Sequence, residues 1–336
     1  MSAYNVVVIP GDGIGPEVTG AARQVIDATG VDVAWLTFEA GASALEAHGT
    51  PLPKALLSAI RHSDAALKGP ITTPIGNGFS SVTVAMRRQL GLYANLRPVQ
   101  TIRGASTRYD DIDLVIVREN TEGLYCGTEI RGDQDTSVAL KRVTREASRQ
   151  IARFAFNYAR RHGRQGVTVV HKANILKRVD GLFLECAREV ADTHPMIDYS
   201  DRIVAALCMD LVVDPGRHDV LLCPNLYGDI VSDLAAGLVG GLGTVPGANI
   251  GHDAALFEAV HGSAPDIAGR GIANPTALVL AGAMMLSYLG EHEAAQNVES
   301  AVRQLYAAGE PLTPDMGGTA TTEDMTQALE AYVRDL

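Results

Sequence analysis

The chain has 336 residues, of which 46% are hydrophobic and 20% charged, as in ordinary globular proteins and unlike disordered ones. Its 39 acidic and 28 basic residues give a formal net charge of −11, which argues against a broad electrostatic nucleic-acid binder. No apolar run is long enough for a membrane-spanning helix, and residues 1–9 lack the basic start of a signal peptide. Four cysteines without metal-ligand spacing suit a reducing compartment. We therefore expect a cytoplasmic protein that binds neither nucleic acid nor membrane.

Short β-branched runs alternate with longer amphipathic runs, which predicts an α/β fold with a largely parallel sheet. Predicted strands lie at residues 6–10, 64–68, 114–117, 167–171 and 219–223. Predicted helices lie at residues 16–29, 81–90, 144–162, 229–238, 274–289, 291–308 and 322–336. The glycine-rich turn at 11–15 joins the first strand to the first helix. Its backbone amides can approach a ligand, and a plain connecting turn explains the pattern about as well.

One segment of this acidic chain contains no acidic residue. Between Lys68 and Arg108 there is no Asp or Glu, and the basic residues give the segment a charge of +6. These residues are Lys68, Arg87, Arg88, Arg97, Arg103 and Arg108. The segment can hold a small anion, while chance clustering on a solvated face is an equally simple explanation.

Two carboxylates, Asp229 and Asp233, lie four residues apart on a predicted helix and therefore share a face. Oxygen-only ligands at this spacing suit Mg²⁺ or Mn²⁺. The alternative is a pair of solvated acids near a helix start, where the helix dipole favours negative charge.

Further candidates combine arginines with a possible acid and base. Arg87, Arg97 and Arg118 are suited to binding carboxylates, because guanidinium groups grip them in a fork and stay charged. Tyr125 and Lys172 each lie just past a predicted strand, and these residue types can act as general acid and general base. Taken singly, each arginine is more simply explained as a surface side chain, and Lys172 as an incidental lysine.

Taken in order, the motifs of the chain resemble those of the β-decarboxylating dehydrogenases, a family that includes the isocitrate, isopropylmalate and homoisocitrate dehydrogenases. They are GDGIGPE at 11–17, LYANLRP at 92–98, RENTEGLY at 118–125, HKAN at 171–174, NLYGDIVSDLAAG at 225–237 and HGSAPDIAGRGIANP at 261–275. The resemblance runs from about residue 5 to about residue 325 and is closest to NAD-dependent isocitrate dehydrogenase.

This resemblance implies a two-domain isocitrate/isopropylmalate dehydrogenase-like fold with an active-site cleft between the domains. Residues 1–94 and 241–336 would form the large, cofactor-binding domain. Residues 95–240 would form the small domain, with substrate, metal and dimer contacts. Lys172 and the position of Ala205 serve the partner's site in this family, so a homodimer with shared active sites is implied.

The resemblance also assigns roles to single residues. Segment 68–88 is similar to the substrate-sorting segment of isocitrate dehydrogenases, which implies a polycarboxylate substrate. The implied substrate-binding residues are Ser81, Thr83, Arg87, Arg97, Arg118 and Asn174. Ser81 would bond to the distal carboxylate, and the three arginines would clamp the other two. Tyr125 would protonate the enol carbon, and Lys172 would help to deprotonate the hydroxyl.

NAD is the implied cofactor, because Asp266 and Ile267 stand where NADP-dependent relatives carry cationic residues. A carboxylate there would repel a 2′-phosphate and accept hydrogen bonds from a free ribose diol. The implied cofactor-binding residues are Thr72, Glu258, His261, Gly262, Ser263, Ala264, Asp266, Ile267 and Asn274. Thr72 and Glu258 would lie at the nicotinamide end, and Asp229 and Asp233 would hold Mg²⁺ or Mn²⁺.

The implied reaction is oxidation of an isocitrate-like 2-hydroxy acid by NAD⁺, with loss of CO₂ and return of a proton. Two positions depart from the family, since Thr83 replaces an asparagine and Ala205 replaces a metal-binding aspartate. Asp201 or Asp210 could supply the missing carboxylate, and Asp201 would share a helix face with Ala205. These departures leave open that the substrate is an analogue of isocitrate, namely a phosphonate analogue, homoisocitrate or 3-isopropylmalate. A non-catalytic regulatory subunit is the alternative of another class.

Overall fold

The computed structural model describes residues 3–74, 79–132 and 134–336, and its central feature is a ten-stranded mixed sheet. The strands are β1 (Tyr4–Ile9), β2 (Val33–Thr37), β3 (Ala65–Lys68), β4 (Ala94–Gln100), β5 (Asp113–Glu119), β6 (Glu129–Arg131), β7 (Ser137–Ala139), β8 (Gly166–His171), β9 (Asp198–Ile203), β10 (Val220–Cys223), β11 (Pro246–Ile250) and β12 (Ala255–Ala259). β6 and β7 form a separate hairpin.

Helices surround this sheet. They are α1 (Gly15–Asp27), α2 (Ala42–His48), α3 (Lys54–His62), α4 (Val82–Gln89), α5 (Arg145–Arg161), α6 (Val179–Ala191), α7 (Val204–Val213), α8 (Asn225–Leu238), α9 (Thr276–Leu289), α10 (His292–Ala308) and α11 (Thr322–Arg334). Within the described ranges, no helix is both long enough and apolar enough to cross a membrane.

The sheet runs in the order β2-β1-β3-β12-β11-β4-β5-β10-β8-β9. Its two ends are parallel, whereas β12–β11, β11–β4 and β4–β5 are antiparallel. The predicted α/β class is confirmed, and the expectation of a largely parallel sheet misses this antiparallel centre. β4 escaped prediction because Asn95, Arg97 and Pro98 interrupt the apolar run that marks a buried strand.

The helix that carries the two predicted metal ligands begins earlier than expected. α8 starts at Asn225 rather than at residue 229, because Pro224 has extended backbone and ends the preceding segment. Asp229 therefore lies in the second turn of the helix and Asp233 in the third. Both carboxylates are clear of the helix start, so the helix dipole does not explain them.

Packing divides the helices between the two ends of the sheet. α1, α9, α10 and α11 pack together beside β11 and β12, and α5 and α6 cover β5 and β8. α8 packs across β4 and β5. The predicted division into domains, at residues 94 and 241, falls in the sheet between β11 and β4. That division stays a prediction, and it places the antiparallel centre at the domain boundary.

Candidate active site

Buried polar side chains form a row across the antiparallel centre of the sheet. The register pairs Asn249 of β11 with Asn95 of β4, and Asn95 with Arg118 of β5. Asn95 donates to Asn249 at 2.9 Å, and Asn249 donates to Glu258 of β12 at 2.7 Å. Buried amides of this kind are tolerated only when hydrogen-bonded, so the row fixes the relative positions of three neighbouring strands.

Glu258 anchors two basic side chains of the acid-free segment. Its carboxylate lies 2.7 Å from the Lys68 ammonium and 2.9 Å from the Arg87 guanidinium. Burial opposes the charge of Glu258, but Lys68 and Arg87 outweigh that effect and hold its pKa well below the ordinary value. The family resemblance implies that Glu258 lies at the nicotinamide end. In this structure its carboxylate orients Arg87 at the end of α4.

The remaining arginines meet carboxylates of α8 in what we call the arginine–carboxylate cluster: Arg97, Arg118, Tyr125, Asp229 and Asp233. The Asp229 carboxylate receives the Arg118 guanidinium on one oxygen and the Tyr125 hydroxyl on the other. Arg97 lies 3.8 Å from Asp229 and 3.5 Å from Asp233. The Arg118 guanidinium also lies 5.1 Å from the centre of the Tyr125 ring. Residues predicted from separate motifs thus meet at one place.

The electrostatics of this cluster set its protonation. Burial and the neighbouring Arg97 and Arg87 lower the pKa of Arg118 to about 10, so it is still charged at neutral pH. Burial and the hydrogen bond to Asp229 raise the pKa of Tyr125. Burial opposes the charge of Asp229, but Arg118 outweighs it and the pKa of Asp229 is lowered. The cluster therefore holds a neutral phenol beside an ionised carboxylate, as a proton donor requires.

Asp229 and Asp233 are the only part of a metal site that the described residues assemble. Their side chains are 34% and 58% exposed, so both carboxylates are accessible to a ligand. Within the described ranges, no group of three or more His, Cys, Asp or Glu side chains is placed to hold a metal. Two carboxylates fit Mg²⁺ or Mn²⁺ only if substrate, water or another chain supplies the remaining oxygen ligands.

Asp201 and Asp210, the two acids considered as substitutes for a carboxylate at Ala205, both pair with other side chains. Asp201 lies on β9, whereas Ala205 lies in α7, so the expected shared helix face does not exist. Asp201 is 3.0 Å from His171, and the buried Asp210 is 2.9 Å from Arg202. Both acids already have partners in the chain, and the position of Ala205 stays without a carboxylate.

Other predicted substrate residues lie in two places. Ser81 is the N-cap of α4, where its hydroxyl accepts the Val84 amide at 3.4 Å, and Thr83 lies one helical turn before Arg87. Residues 75–78 of the substrate-sorting segment lie outside the described residues. Lys172 and Asn174 follow β8, with β10 between them and β5. Among described contacts, neither reaches the arginine–carboxylate cluster, and their role in a partner's site stays a prediction.

A second cluster joins three loops near the first strand, and we call it the glycine-loop hub: Gly11, Asp12, Gly13, Thr72 and Ser263. The Asp12 carboxylate accepts the Thr72 amide at 2.9 Å, and the Thr72 and Ser263 hydroxyl oxygens lie 2.7 Å apart. A Cβ on Gly13 would lie 2.0 Å from the Ser263 carbonyl oxygen. The glycine motif is thus explained by close approach of backbones, which favours the structural interpretation of that turn.

The loop at 261–267 presents the other predicted cofactor residues. The His261 Nε2 atom is buried without a partner in the described chain, and burial lowers the pKa of this imidazole. Gly262 and Asp266 are exposed, and Ile267 is half-buried. Ala264 has a φ of +37°, a strained value for a residue with a side chain. An orphaned buried nitrogen and an exposed carboxylate in the same loop fit a polar cofactor with a diol.

Asn274 is a buried side chain, and its cofactor-binding role stays a prediction. Its side-chain amide donates to the Tyr306 hydroxyl at 3.2 Å and to Asp315 at 2.9 Å, and its carbonyl oxygen accepts the Thr276 amide. The side chain is buried and tied into the start of α9. In this structure Asn274 links the start of α9 to Tyr306 and Asp315.

Sequence reasoning missed several residues that hold the site together. Asn225 accepts two hydrogen bonds from Arg118, at 3.1 and 2.8 Å, and Ser232 accepts one from Arg97. Both lie in the NLYGDIVSDLAAG motif, on the same helix as Asp229, so the motif itself was the available signal. Lys68 was noticed only for its charge, and its pairing with Glu258 joins positions 190 residues apart in sequence (258 − 68).

With this geometry in place, similarity to known proteins can be described. A family model for isocitrate/isopropylmalate dehydrogenase matches residues 5–329. The chain is 48% identical over 323 residues to "Isocitrate dehydrogenase [NAD] catalytic subunit 5, mitochondrial" of Arabidopsis thaliana, covering 96% of this chain and 86% of that protein. It is 50% identical over 328 residues to a 3-isopropylmalate dehydrogenase of Archaeoglobus fulgidus, covering 98% and 99%.

Solved structures agree with this pattern. The crystal structure of isocitrate dehydrogenase from Methylococcus capsulatus superposes with a TM-score of 0.96 at 54% identity. The match covers 98% of this chain and 99% of that one.

Proposed function

The chain belongs to the isocitrate/isopropylmalate dehydrogenase family, and from that premise we propose that it oxidises an isocitrate-like 2-hydroxy tricarboxylic acid with NAD⁺ and releases CO₂. The observation that carries this proposal is the arginine–carboxylate cluster. It sets guanidinium groups, a neutral phenol and two carboxylates within reach of one another. A polycarboxylate is the substrate class that such guanidinium groups bind in preference to an acid with an apolar tail.

The proposed division of labour follows from the contacts. Arg97 and Arg118 are buried, charged and held by neutral partners on α8 and β4, so they orient a bound acid without moving far. NAD⁺, when bound, would supply the hydride acceptor, and Asp229 and Asp233 would hold a divalent ion that would supply a Lewis acid for the carbonyl oxygen. Tyr125 keeps its proton at neutral pH and donates it to the carbon that has lost CO₂.

Lys172 is proposed to receive the hydroxyl proton in the site of a partner subunit, so that a homodimer is the active unit. Exposed apolar side chains support such an assembly, because several of them lie on the contacting helices α7 and α8, and a grouped apolar surface favours burial against a partner. On α7 and α8 these are Met209, Val212, Val213 and Ile230, and on the β6–β7 hairpin they are Ile130 and Val138. The names of the relatives support NAD over NADP, as does the exposed Asp266.

An isocitrate analogue is the second candidate, and Thr83 is the observation that favours it. Thr83 lies one turn before Arg87 on α4, the helix whose end reaches the polar row. A threonine is shorter than the family's asparagine and offers no amide. An acid with a longer or phosphonate arm would change what the side chain at position 83 has to bind, so that an asparagine amide would not be required there.

Steady-state kinetics of the purified chain test the proposal directly. The substrates are isocitrate, homoisocitrate, 3-isopropylmalate and a phosphonate analogue of isocitrate, each with Mg²⁺ or Mn²⁺ and with NAD⁺ or NADP⁺. We expect the highest kcat/KM with isocitrate and NAD⁺. A kcat/KM at least tenfold higher for another acid would transfer the proposal to that acid, a difference of about 1.4 kcal/mol in transition-state binding.

A further inference from the structure

A buried ionic network contacts the backbone of the turn that carries Lys172 and is separate from the arginine–carboxylate cluster. Its centre is Asp180, the second residue of α6, whose side chain is fully buried. One carboxylate oxygen pairs with the Lys141 ammonium, and the other accepts the backbone amide of Lys172 at 2.8 Å. A carboxylate with no solvent contact persists only when charge and hydrogen bonds compensate it, and here both do.

The network reaches the helix that carries the predicted metal ligands. The Lys141 ammonium lies 4.4 Å from the centre of the Tyr227 ring and 3.4 Å from its hydroxyl oxygen. Tyr227 lies on α8, two residues before Asp229. Lys141 follows the β6–β7 hairpin, so Asp180 ties together the hairpin, α8 and the turn after β8.

A second contact fixes the same turn from the other side. The His171 Nδ1 atom accepts the Ala173 amide at 3.0 Å, so its Nε2 carries the proton, which it donates to Asp201 at 3.0 Å. The backbone on both sides of the Lys172 Cα is therefore tied down, by Asp180 before it and by His171 after it.

We propose that Asp180 is a positioning residue for Lys172: its carboxylate bond to the Lys172 amide sets the direction in which the lysine leaves the turn. This inference rests on the proposed function, in which Lys172 exchanges a proton with the substrate hydroxyl. A misplacement of about 1 Å in such a group costs on the order of 100-fold in rate, so the amide bond matters for catalysis beyond its share of stability.

The test separates positioning from charge pairing with two double variants. Asp180→Asn with Lys141→Met removes both charges and keeps an acceptor for the Lys172 amide. Asp180→Leu with Lys141→Met removes both charges and the acceptor, at similar side-chain volume. Asp192→Asn, an exposed acid at the other end of α6, is the matched control. Hydrogen exchange of a peptide spanning residues 167–178, which reports the Lys172 amide, is measured with kcat, the KM of the acid and the Kd of Mn²⁺.

We expect the leucine double variant to exchange the Lys172 amide about tenfold faster than the asparagine double variant, as loss of one hydrogen bond implies. Its kcat should fall by about 100-fold, with KM and the Mn²⁺ Kd within twofold, while the asparagine double variant loses under about fivefold. Equal exchange in the two variants, or unequal exchange with equal kcat, overturns the proposal.

The proposed function fails in a different way. Lys172→Met with full turnover would remove the lysine from the reaction and overturn the positioning role with it, while leaving the dehydrogenase activity in place. Absence of turnover in the unaltered chain would overturn the proposed function, and equal exchange in the two double variants would then still count against the amide bond.

Discussion

The glycine-loop hub and the arginine–carboxylate cluster are both parts of the candidate site, and they are built in opposite ways. The hub is held by backbone approaches and by hydrogen bonds without an ion pair, with Gly13 so close to Ser263 that no side chain fits. The cluster is held by charges, and its carboxylates are one-third to more than one-half exposed. Its ion pairs can be exchanged for those of a bound acid or metal, whereas the contacts of the hub cannot.

This difference indicates what each region contributes. If Thr72 and Ser263 bind the cofactor as proposed, the contacts of the hub would hold them in place beforehand and so reduce the entropy lost on binding. In the cluster, Arg118 and Tyr125 occupy the Asp229 carboxylate, so ligand binding replaces one set of charges with another. Substitutions in the cluster should therefore affect turnover most, and substitutions in the hub should affect stability and cofactor affinity.

The largest effect is expected for Asp229→Asn. Loss of this carboxylate removes a proposed metal ligand and leaves Arg118 and Tyr125 without their partner. Because a metal's contribution to transition-state charge is several kcal/mol, kcat/KM should fall about 1,000-fold or more. Steady-state kinetics and Mn²⁺ titration measure the change. Asp214→Asn, an exposed acid at the end of α7, is the control. Near-normal turnover of Asp229→Asn would contradict the claim that substitutions in the cluster affect turnover most.

Glu258→Gln should have the next largest effect, on the free energy of unfolding. The substitution leaves Lys68 and Arg87 buried without their carboxylate, which costs about 3 kcal/mol. Denaturant unfolding at pH 7 measures the loss, and the control is Glu299→Gln, an exposed partner in a surface pair. A loss below about 1 kcal/mol would show that the pair is as weak as a surface salt bridge.

The same substitution has a pH dependence with a definite sign. The pKa of Glu258 is lowered in the folded protein, so its contribution to stability is present above its unfolded pKa of about 4.3. That contribution is lost as the pH falls through the folded pKa. The stability difference between the unaltered chain and Glu258→Gln should therefore be constant from pH 5 to 7 and shrink below about pH 4. A difference that grows on acidification would contradict the assignment.

Gly13→Ala, compared with Gly30→Ala, tests whether the close backbone approach in the hub adds to the stability lost through backbone strain. Gly13 and Gly30 both have positive φ, at +60° and +77°, but only Gly13 has a backbone atom in the way. Gly30→Ala should lose about 1 kcal/mol through backbone strain alone, and Gly13→Ala about 2 kcal/mol or more. The KM for NAD⁺ should rise only in Gly13→Ala. Equal losses in the two variants would mean that the close approach to Ser263 is not required.

Thr72→Val should give the smallest effect. It removes the hydroxyl contact with Ser263 at nearly constant volume, which is worth about 1 kcal/mol. We expect a rise of a few-fold in the KM for NAD⁺ and an unchanged KM for the acid. Thr37→Val, on the exposed face of edge strand β2, is the control. A change in the KM of the acid instead would place Thr72 with the substrate.

What the sequence predicted well has a common physical basis. Strands such as β1 and β5 are buried apolar runs, and amphipathic helices such as α5 carry their period in the sequence, so local patterns sufficed. β4 and β9 were missed because β4 buries polar residues and β9 is a polar edge strand. The polar network at Asp180 was missed too, since its partners come from segments far apart in the chain.

The site shows the same division. Ordered motifs singled out Arg118, Tyr125 and Asp229, and the structure brings their side chains together, while their roles stay predictions. The pairing of Glu258 with Lys68 and Arg87 could not be predicted, since it depends on the register of β12 against β3. The suggestion that Asp201 shares a helix face with Ala205 was wrong, because the helix begins only at Val204.

The most direct test of the central claim is the stoichiometry of the reaction catalysed by the purified chain alone. With isocitrate, NAD⁺ and Mn²⁺, we expect NADH and CO₂ in equal amounts, and neither when EDTA is added. Asp229→Asn should form both products at least about 1,000-fold more slowly under the same conditions. Absence of NADH with every 2-hydroxy acid tested, from a folded dimer, would contradict the account and favour a non-catalytic subunit.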